Sequence, residues 1–105
     1  MVIIAKTTLE GYAKMHPIAA EPLNNWYRIT KNEDWGSFSE VKKAFNSVDA
    51  VSNDRYCFNI KGNDFRLIVL IIFRARTVFI LWFGSHAEYD KLNKLIGAAN
   101  VTHDK

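Results

Sequence analysis

The feature that most constrains this chain is a block of three successive strand-like segments between residues 55 and 83. In residues 55–61, apolar and polar side chains alternate, which is the period-two pattern of a half-buried strand. Residues 65–73 and 77–83 are apolar at nearly every position, as strands are when both faces are covered or flanked by a partner. The turn-favouring pair Gly62-Asn63 separates the first two segments and predicts a hairpin. The centre of the chain therefore has to form a sheet.

Helical patterns flank this block on both sides. Three stretches resemble capping boxes, in which a hydroxyl and a Glu carboxylate each bind a free backbone N–H. They are Thr7-x-x-Glu10, Ser37-x-x-Glu40 and Ser85-x-x-Glu88. Apolar residues at helical spacing then predict four helices, marked by Leu9, Tyr12, Ala13 and His16, by Leu23, Trp26, Tyr27 and Thr30, by Phe38, Val41 and Phe45, and by Tyr89, Leu92 and Ile96. Pro17 should end the first helix.

With a further short strand at Val2–Ala5, the predicted order is β-α-α-α-β-β-β-α. This order predicts an α+β fold, with an antiparallel sheet of about four strands and helices packed on it. The 105 residues fit a single domain spanning 1–105. We expect residues 97–105, which include His103, to form a flexible tail.

Several classes of protein are excluded by composition. The single cysteine, Cys57, allows no internal disulfide and no Cys-based zinc finger. The three histidines and the scattered acidic residues show no metal-ligand spacing, so we expect no metal and no other cofactor. No apolar run approaches the ~20 residues that span a bilayer, and the N-terminal run is too short for a signal peptide. We therefore expect a cytoplasmic protein without membrane association.

Positive charge is concentrated in the strand block. Residues 55–77 hold five basic residues and one acidic residue, a net charge of +4, whereas the whole chain carries +3. The rest of the chain is therefore slightly acidic. A local excess of this kind favours a phosphate-bearing partner.

Hairpin geometry predicts which polar residues meet. If Gly62 and Asn63 form a two-residue turn, Asn59 lies opposite Arg66. If Ala75 and Arg76 form the next turn, Phe73 lies opposite Val78 and Arg66 lies opposite Ser85. Asn59, Arg66 and Ser85 would then form one row across three strands. The row depends on the assumed register, and a slip of one residue would scatter it.

Further polar residues lie close to this row in the sequence, namely Lys61, His86, Tyr89 and Lys91. The group contains what metal-free RNA cleavage requires. Arg and Lys stabilise the charge that develops on the scissile phosphate, and His or Tyr transfers protons to and from the ribose oxygens.

Each of these residues also has a purely structural interpretation. Arg66 could pair with Asp64, His86 could extend a helix cap, and Tyr89 could be core packing. Arg74 and Arg76 at a hairpin tip could keep a sheet edge soluble. The pattern favours core packing or contact with a partner protein over base stacking for Trp26, Trp35 and Trp82, and we name Trp26 and Trp35 as candidates for partner contact.

Three segments of the chain together resemble HigB-type toxins, which are bacterial mRNA interferases of the RelE/ParE superfamily. They are Phe58-Asn-Ile-Lys-Gly-Asn63, Phe65-Arg-Leu-Ile68 and Gly84-Ser-His-Ala-Glu-Tyr-Asp-Lys91. The N-terminal Ile3-Ile-Ala-Lys-Thr-Thr-Leu9 and the Leu23-x-x-Trp26 helix also resemble that family, so the similarity extends to about residue 95. The family usually has Thr where this chain has Ser85, and either residue supplies the cap hydroxyl.

The resemblance implies a RelE/ParE-like fold and a metal-independent endoribonuclease that cleaves translated mRNA at the ribosome. It implies neutralisation by a cognate helix-turn-helix antitoxin similar to HigA, and operator DNA binding only through the toxin-antitoxin complex. Matched position by position, it indicates Lys61, Arg66, His86 and Tyr89 as catalytic residues. We add as candidates for RNA binding Asn59, Asn63, Arg74, Arg76 and Lys91. Two alternatives stay open, a gyrase-inhibiting toxin of the same superfamily and a catalytically inactive relative that only binds an antitoxin.

Overall fold

Five strands form one mixed sheet in the order β1-β5-β4-β3-β2 in the computed structural model, which describes residues 1–102. The strands are β1 (Val2–Ile4), β2 (Val48–Ser52), β3 (Arg55–Ile60), β4 (Phe65–Ile72) and β5 (Thr77–Ser85). The helices are α1 (Lys6–Met15), α2 (Ala20–Lys31), α3 (Phe38–Ala44) and α4 (His86–Leu95). Short 3-10 turns occupy Pro17–Ala19, Phe73–Ala75 and Ala98–Asn100. None of the helices within residues 1–102 is long and apolar enough to cross a membrane.

The predicted α+β class is confirmed, but the sheet differs from the prediction in two ways. It has five strands, and it is mixed because β1 pairs in parallel with β5. The unpredicted strand is β2, an edge strand that pairs with β3 and buries only Val48 fully. An edge strand with one buried residue lacks the apolar alternation by which strands are recognised in a sequence.

The three predicted capping boxes have different outcomes. At α4 the box is complete, because Ser85 Oγ accepts the Glu88 N–H (3.2 Å) and Glu88 Oε1 accepts the Ser85 N–H (2.7 Å). At α3, Ser37 is the N-cap residue but its hydroxyl makes no cap bond. The box at Thr7 was wrong, because α1 already begins at Lys6 with Ala5 as its N-cap.

The main core lies between the sheet and helices α1 to α3. Trp26 and Trp35 are each only 1% exposed and belong to this core. Trp26 packs edge-on against Phe58, with ring centroids 5.4 Å apart, and Trp35 packs edge-on against Phe45 at 6.0 Å. The prediction that these tryptophans face a partner was therefore wrong, since both rings fill the space between helices and strands.

A second, smaller core covers part of the opposite face of the sheet. Residues 97–102, which we had placed in the tail, pack there, with Ala98 and Val101 buried. Arg55 Nε donates to the Val101 carbonyl at 2.7 Å, and Asn53 Nδ2 donates to the Ala99 carbonyl at 3.1 Å. His103 lies outside the described residues.

The register of the β3–β4 hairpin matches the prediction, with Asn59 opposite Arg66. The register of β4 and β5 does not, because Arg66 lies opposite Gly84 and Phe65 lies opposite Ser85. Two features cause the difference. The second hairpin turns through four residues, 73–76, and the sheet register then shifts between Ile68 and Val69. The predicted row of Asn59, Arg66 and Ser85 is therefore wrong in its last member.

Candidate functional site

Arg66 and Tyr89 meet on the sheet face opposite α1 to α3. The Arg66 guanidinium carbon lies 5.7 Å from the centre of the Tyr89 ring, within the range of a cation–π contact. The completed capping box at Ser85 starts α4 directly after β5 and so places Tyr89, one turn later, over the neighbouring strand. Both side chains are half-buried, and each keeps some surface accessible to a ligand.

The Arg66 guanidinium is partly satisfied by backbone oxygens. Its Nη1 donates to the carbonyls of Asn63 (3.1 Å) and Phe65 (3.3 Å), and within residues 1–102 its hydrogen bonds all use this one nitrogen. Asp64 pairs instead with Lys61, Nζ to Oδ2 at 3.2 Å, so the interpretation in which Asp64 neutralises Arg66 was wrong. Arg66 therefore presents unused donors, and a guanidinium binds phosphate oxygens with two parallel hydrogen bonds.

Burial controls the protonation of the groups beside Arg66. Burial raises the pKa of Tyr89 above its ordinary value of 10.0, and the neighbouring Cys57 adds to the effect. Burial likewise raises the pKa of Cys57 to about 11, although Tyr89 and Arg66 partly oppose this shift. Near neutral pH, Tyr89 therefore carries its proton and can act as a proton donor.

Gly84 and Trp82 complete this part of the surface. Gly84 lies directly opposite Arg66, where the sequence prediction placed Ser85. A Cβ atom on Gly84 would lie 2.6 and 2.8 Å from two atoms of the six-membered ring of Trp82, so only glycine leaves room for the indole. The Trp82 ring centroid is 6.2 Å from that of Tyr89. The sequence prediction gave Gly84 no role in the site and favoured a core or partner contact for Trp82, although the glycine two residues after a tryptophan on a strand was a signal of close packing.

Three of the other predicted residues lie beside the Arg66–Tyr89 pair, whereas the fourth, Lys91, follows Tyr89 by two residues and so points to the other side of α4. Asn59 lies opposite Arg66 and donates to the Ser47 hydroxyl. Asn63 contributes its carbonyl to Arg66. His86 is exposed at the start of α4 and its Nδ1 lies 3.3 Å from Asp90 Oδ2. Lys91 is exposed on the same helix.

Lys61 lies at the tip of the β3–β4 hairpin, away from the ring of Tyr89. Its ammonium is held by Asp64, and the residue lines a shallow hollow together with Glu21, Pro22 and Asn25 of α2. The structure therefore places Lys61 at the rim of the site, on the side of the helix layer.

The two arginines among the predicted RNA-binding residues lie at the other end of the sheet. Arg74 and Arg76 belong to the β4–β5 hairpin, and β4 has 8 residues between the two turns. At about 3.3 Å per residue, the turns are about 25 Å apart. Arg76 also forms an ion pair with Asp34, Nε to Oδ1 at 2.8 Å. The net charge of +4 in residues 55–77 therefore does not form a single patch.

His16 is a residue near the site that the sequence analysis assigned only to the end of a helix. It is the C-cap residue of α1, and its ring packs edge-on against Phe65 and Phe83, each at 5.4 Å. The bond from the Ser85 backbone lowers the pKa of Glu88, and the Ser85 hydroxyl and the neighbouring His16 add smaller effects in the same direction. Among residues 1–102, no group of three or more His, Cys, Asp and Glu side chains could hold a metal ion.

The fold and the site together define a small α+β domain that presents a guanidinium against an aromatic ring, an arrangement suited to a phosphate-bearing ligand. Residues 19–92 match the model of the HigB toxin family, described as the RelE-like toxic component of a toxin-antitoxin system. The chain is also 34% identical over 96 residues to mRNA interferase HigB of Escherichia coli O6:H1, covering 90% of this chain and 93% of the relative. The chain therefore belongs to the HigB toxin family, and the resemblance inferred from its motifs is confirmed.

Proposed function

We propose that this protein is the toxin of a type II toxin-antitoxin system and cleaves mRNA as a metal-independent endoribonuclease. The observation that carries the proposal is the half-buried Arg66 guanidinium against the Tyr89 ring, on a chain that belongs to the HigB family. The name of the E. coli relative, mRNA interferase HigB, supports the same activity.

The proposed reaction is attack of a ribose 2′-oxygen on the neighbouring phosphorus. The phosphorus–5′-oxygen bond breaks, leaving a 2′,3′-cyclic phosphate and a free 5′-hydroxyl. Arg66 stabilises the negative charge that builds up on the phosphate oxygens, with the donors that the carbonyls of Asn63 and Phe65 do not use. Lys61 adds positive charge from the rim, where a phosphate can replace Asp64 as its partner.

Proton transfer is assigned to two residues of α4. Tyr89 donates its proton to the departing 5′-oxygen, because its raised pKa keeps the phenol protonated near neutral pH. His86 takes the proton of the 2′-hydroxyl, since it is exposed and lies three residues before Tyr89, on an adjacent part of the same helix surface. The protein thus accepts one proton from the 2′-hydroxyl at His86 and gives one proton to the 5′-oxygen from Tyr89.

The remaining candidates are proposed to bind the RNA strand beyond the scissile phosphate. Asn59 and Asn63 lie next to the Arg66–Tyr89 pair, and Lys91 lies on the other side of α4, where it would meet a more distant part of the strand. Arg74 and Arg76, about 25 Å away by strand length, would meet only a longer RNA or the ribosome. We propose that translated mRNA on the ribosome is the substrate.

We further propose a cognate helix-turn-helix antitoxin of the HigA type, which neutralises the toxin in the cytoplasm. Operator DNA would be bound only through the toxin-antitoxin complex. The family description, which names a toxic component of a toxin-antitoxin system, supports a protein partner of this kind.

Inducible expression without an antitoxin tests the proposal. We expect growth arrest together with loss of intact mRNA, and mapping of the new 5′ ends should show hydroxyl termini. Arg66→Ala expressed to the same level is the control and should permit growth. Arrest with intact mRNA and broken chromosomal DNA would identify a gyrase inhibitor instead, and unimpaired growth would identify an inactive relative.

Purified protein and ribosome-bound mRNA in excess chelator, with the ribosomes kept intact by other means, test the independence from metal. Cleavage at the rate measured without chelator is expected, and activity that returns only on adding one particular metal ion would contradict the proposal.

A further inference from the structure

Trp82 differs from the other two tryptophans of the chain in its exposure. Trp26 and Trp35 are each 1% exposed and belong to the core under the helices, whereas Trp82 is half-buried and lies on the opposite face of the sheet. Its position on β5 is opposite Ile68, two residues along β4 from Arg66 on the same face. Trp82 is thus a partly accessible indole beside the Arg66–Tyr89 pair.

The indole is held in a fixed place by its surroundings. Two atoms of its six-membered ring lie where a side chain on Gly84 would otherwise be, and Gly84 is the residue opposite Arg66. The Tyr89 ring supports it from α4, with the two ring planes inclined at 51°. The absence of a side chain on Gly84 therefore brings the far end of the indole close to the strand position that carries the guanidinium.

We infer that Trp82 is a stacking site for the nucleobase that adjoins the phosphate held by Arg66. A base is joined to its phosphate through one ribose, and a guanidinium and an aromatic ring two strand positions apart match that separation. Stacking of a base on an aromatic side chain is sequence-tolerant and substantial, so such a site gives affinity without a strict requirement for one base. The inference rests on the proposed function and specifies how the same site holds its RNA.

A matched pair of variants tests the inference. Trp82→Leu keeps apolar bulk but removes the π face. Phe79→Leu is the control, because Phe79 is an exposed aromatic residue on the same strand and the same face, near the far end of the sheet. A short oligonucleotide that lacks 2′-hydroxyl groups serves as an uncleavable probe for binding, and the matching RNA serves for cleavage.

We expect Trp82→Leu to weaken binding of the probe about 5- to 100-fold, with Phe79→Leu unchanged. Turnover of Trp82→Leu at saturating RNA should stay within about threefold of wild type, so that the loss lies in KM. Tryptophan emission of the wild type should fall as the probe binds, because the other two tryptophans are buried. Trp82→Phe should restore most of the affinity.

Three results would overturn the inference. Wild-type affinity in a folded Trp82→Leu variant would exclude stacking and leave the proposed nuclease function intact. Reduced turnover at unchanged KM would show that Trp82 acts only by positioning Tyr89. Failure of the wild-type protein to cleave any RNA, free or ribosome-bound, would remove the proposed function and the inference with it.

Discussion

The two faces of the sheet are built from the same strands but are covered to very different extents. On one face, Leu67, Val69 and Ile71 of β4 are at most 1% exposed beneath the aromatic-rich layer of α1 to α3. On the other, Ile68 of the same strand is fully buried in the smaller core, but Arg66 and Leu70 on either side of it are only half-buried. Helix α4 and residues 97–102 cover that second face only in part.

The difference teaches how a domain of 105 residues can hold both a core and a polar site. Successive side chains of a strand point to opposite faces, so Arg66 lies in the candidate site while Leu67, the next residue of β4, packs in the main core. Substitutions one position apart should therefore separate stability from activity.

Leu67→Ala should show the largest effect, and it acts on stability. Leu67 is fully buried on the helix-covered face, so truncation removes apolar contacts and leaves a cavity. We expect a loss of about 2–5 kcal/mol in the free energy of unfolding, measured by urea denaturation. A loss below about 1 kcal/mol would mean that the two faces contribute equally to the fold.

Arg66→Ala, one residue earlier on β4, should have the reverse effect of Leu67→Ala: activity should fall and stability should be nearly unchanged. Loss of a preorganised donor to the transition-state phosphate typically reduces the rate by about 10²–10³. Stability should change little, because within residues 1–102 the hydrogen bonds of Arg66 go to carbonyls of its own hairpin and its contact with Tyr89 is only half-buried. Cleavage rate and denaturation are measured on the same preparation.

Arg66→Lys should rescue only part of the rate, because an ammonium lacks the planar two-pronged geometry of the guanidinium. A folded Arg66→Ala protein that cleaves RNA at the wild-type rate would remove Arg66 from the site.

Gly84→Ala should have the third largest effect, and it changes the packing of the second face. The new methyl group would lie within 2.8 Å of the Trp82 ring, so the indole has to move. We expect a loss of about 1–3 kcal/mol in stability from overpacking, with a shift in tryptophan emission and weaker RNA binding. The double variant Gly84→Ala/Trp82→Leu is the control, since the smaller side chain should recover most of the stability. Unchanged tryptophan emission in Gly84→Ala would show that the backbone of β5 moves to relieve the contact and the Trp82 ring stays in place.

The parts of the fold with strong local patterns could be predicted from the sequence. The alternation in β3, the Gly62-Asn63 turn and the helical spacing of α2 each depend on neighbouring residues, and the β3–β4 register followed from them. The β4–β5 register could not be predicted. It depends on a four-residue turn and a register shift, which no short sequence pattern specified.

The candidate site was predictable to a similar extent. Arg66 and Tyr89 were named from the sequence and meet in the structure. The site roles of Gly84 and Trp82 were not predicted, since they arise from a contact between two residues of β5 and a slip of one residue had placed Ser85 opposite Arg66. Trp26 and Trp35 were named as candidates for partner contact but are buried, because composition alone does not tell a core tryptophan from an exposed one.

The smallest predicted effect concerns Glu88, which caps the helix that carries Tyr89. The bond from the Ser85 backbone lowers the pKa of Glu88 below its ordinary value of 4.5. A carboxyl group with a lowered folded pKa stabilises the fold fully above its unfolded pKa, and this stabilisation is lost as the pH falls through the folded pKa.

Glu88→Ala should cost about 1 kcal/mol at neutral pH, because it removes one half of the capping box. Glu88→Gln keeps an acceptor for the Ser85 N–H but cannot titrate, so its stability should decline less than that of wild type below pH 4.5. Thermal unfolding of the three proteins from neutral to acid pH measures this, with Glu10→Gln as the control because Glu10 caps no helix. If the thermal stabilities of wild type and Glu88→Gln fall in parallel as the pH is lowered, the capping box of α4 contributes nothing to the loss of stability in acid.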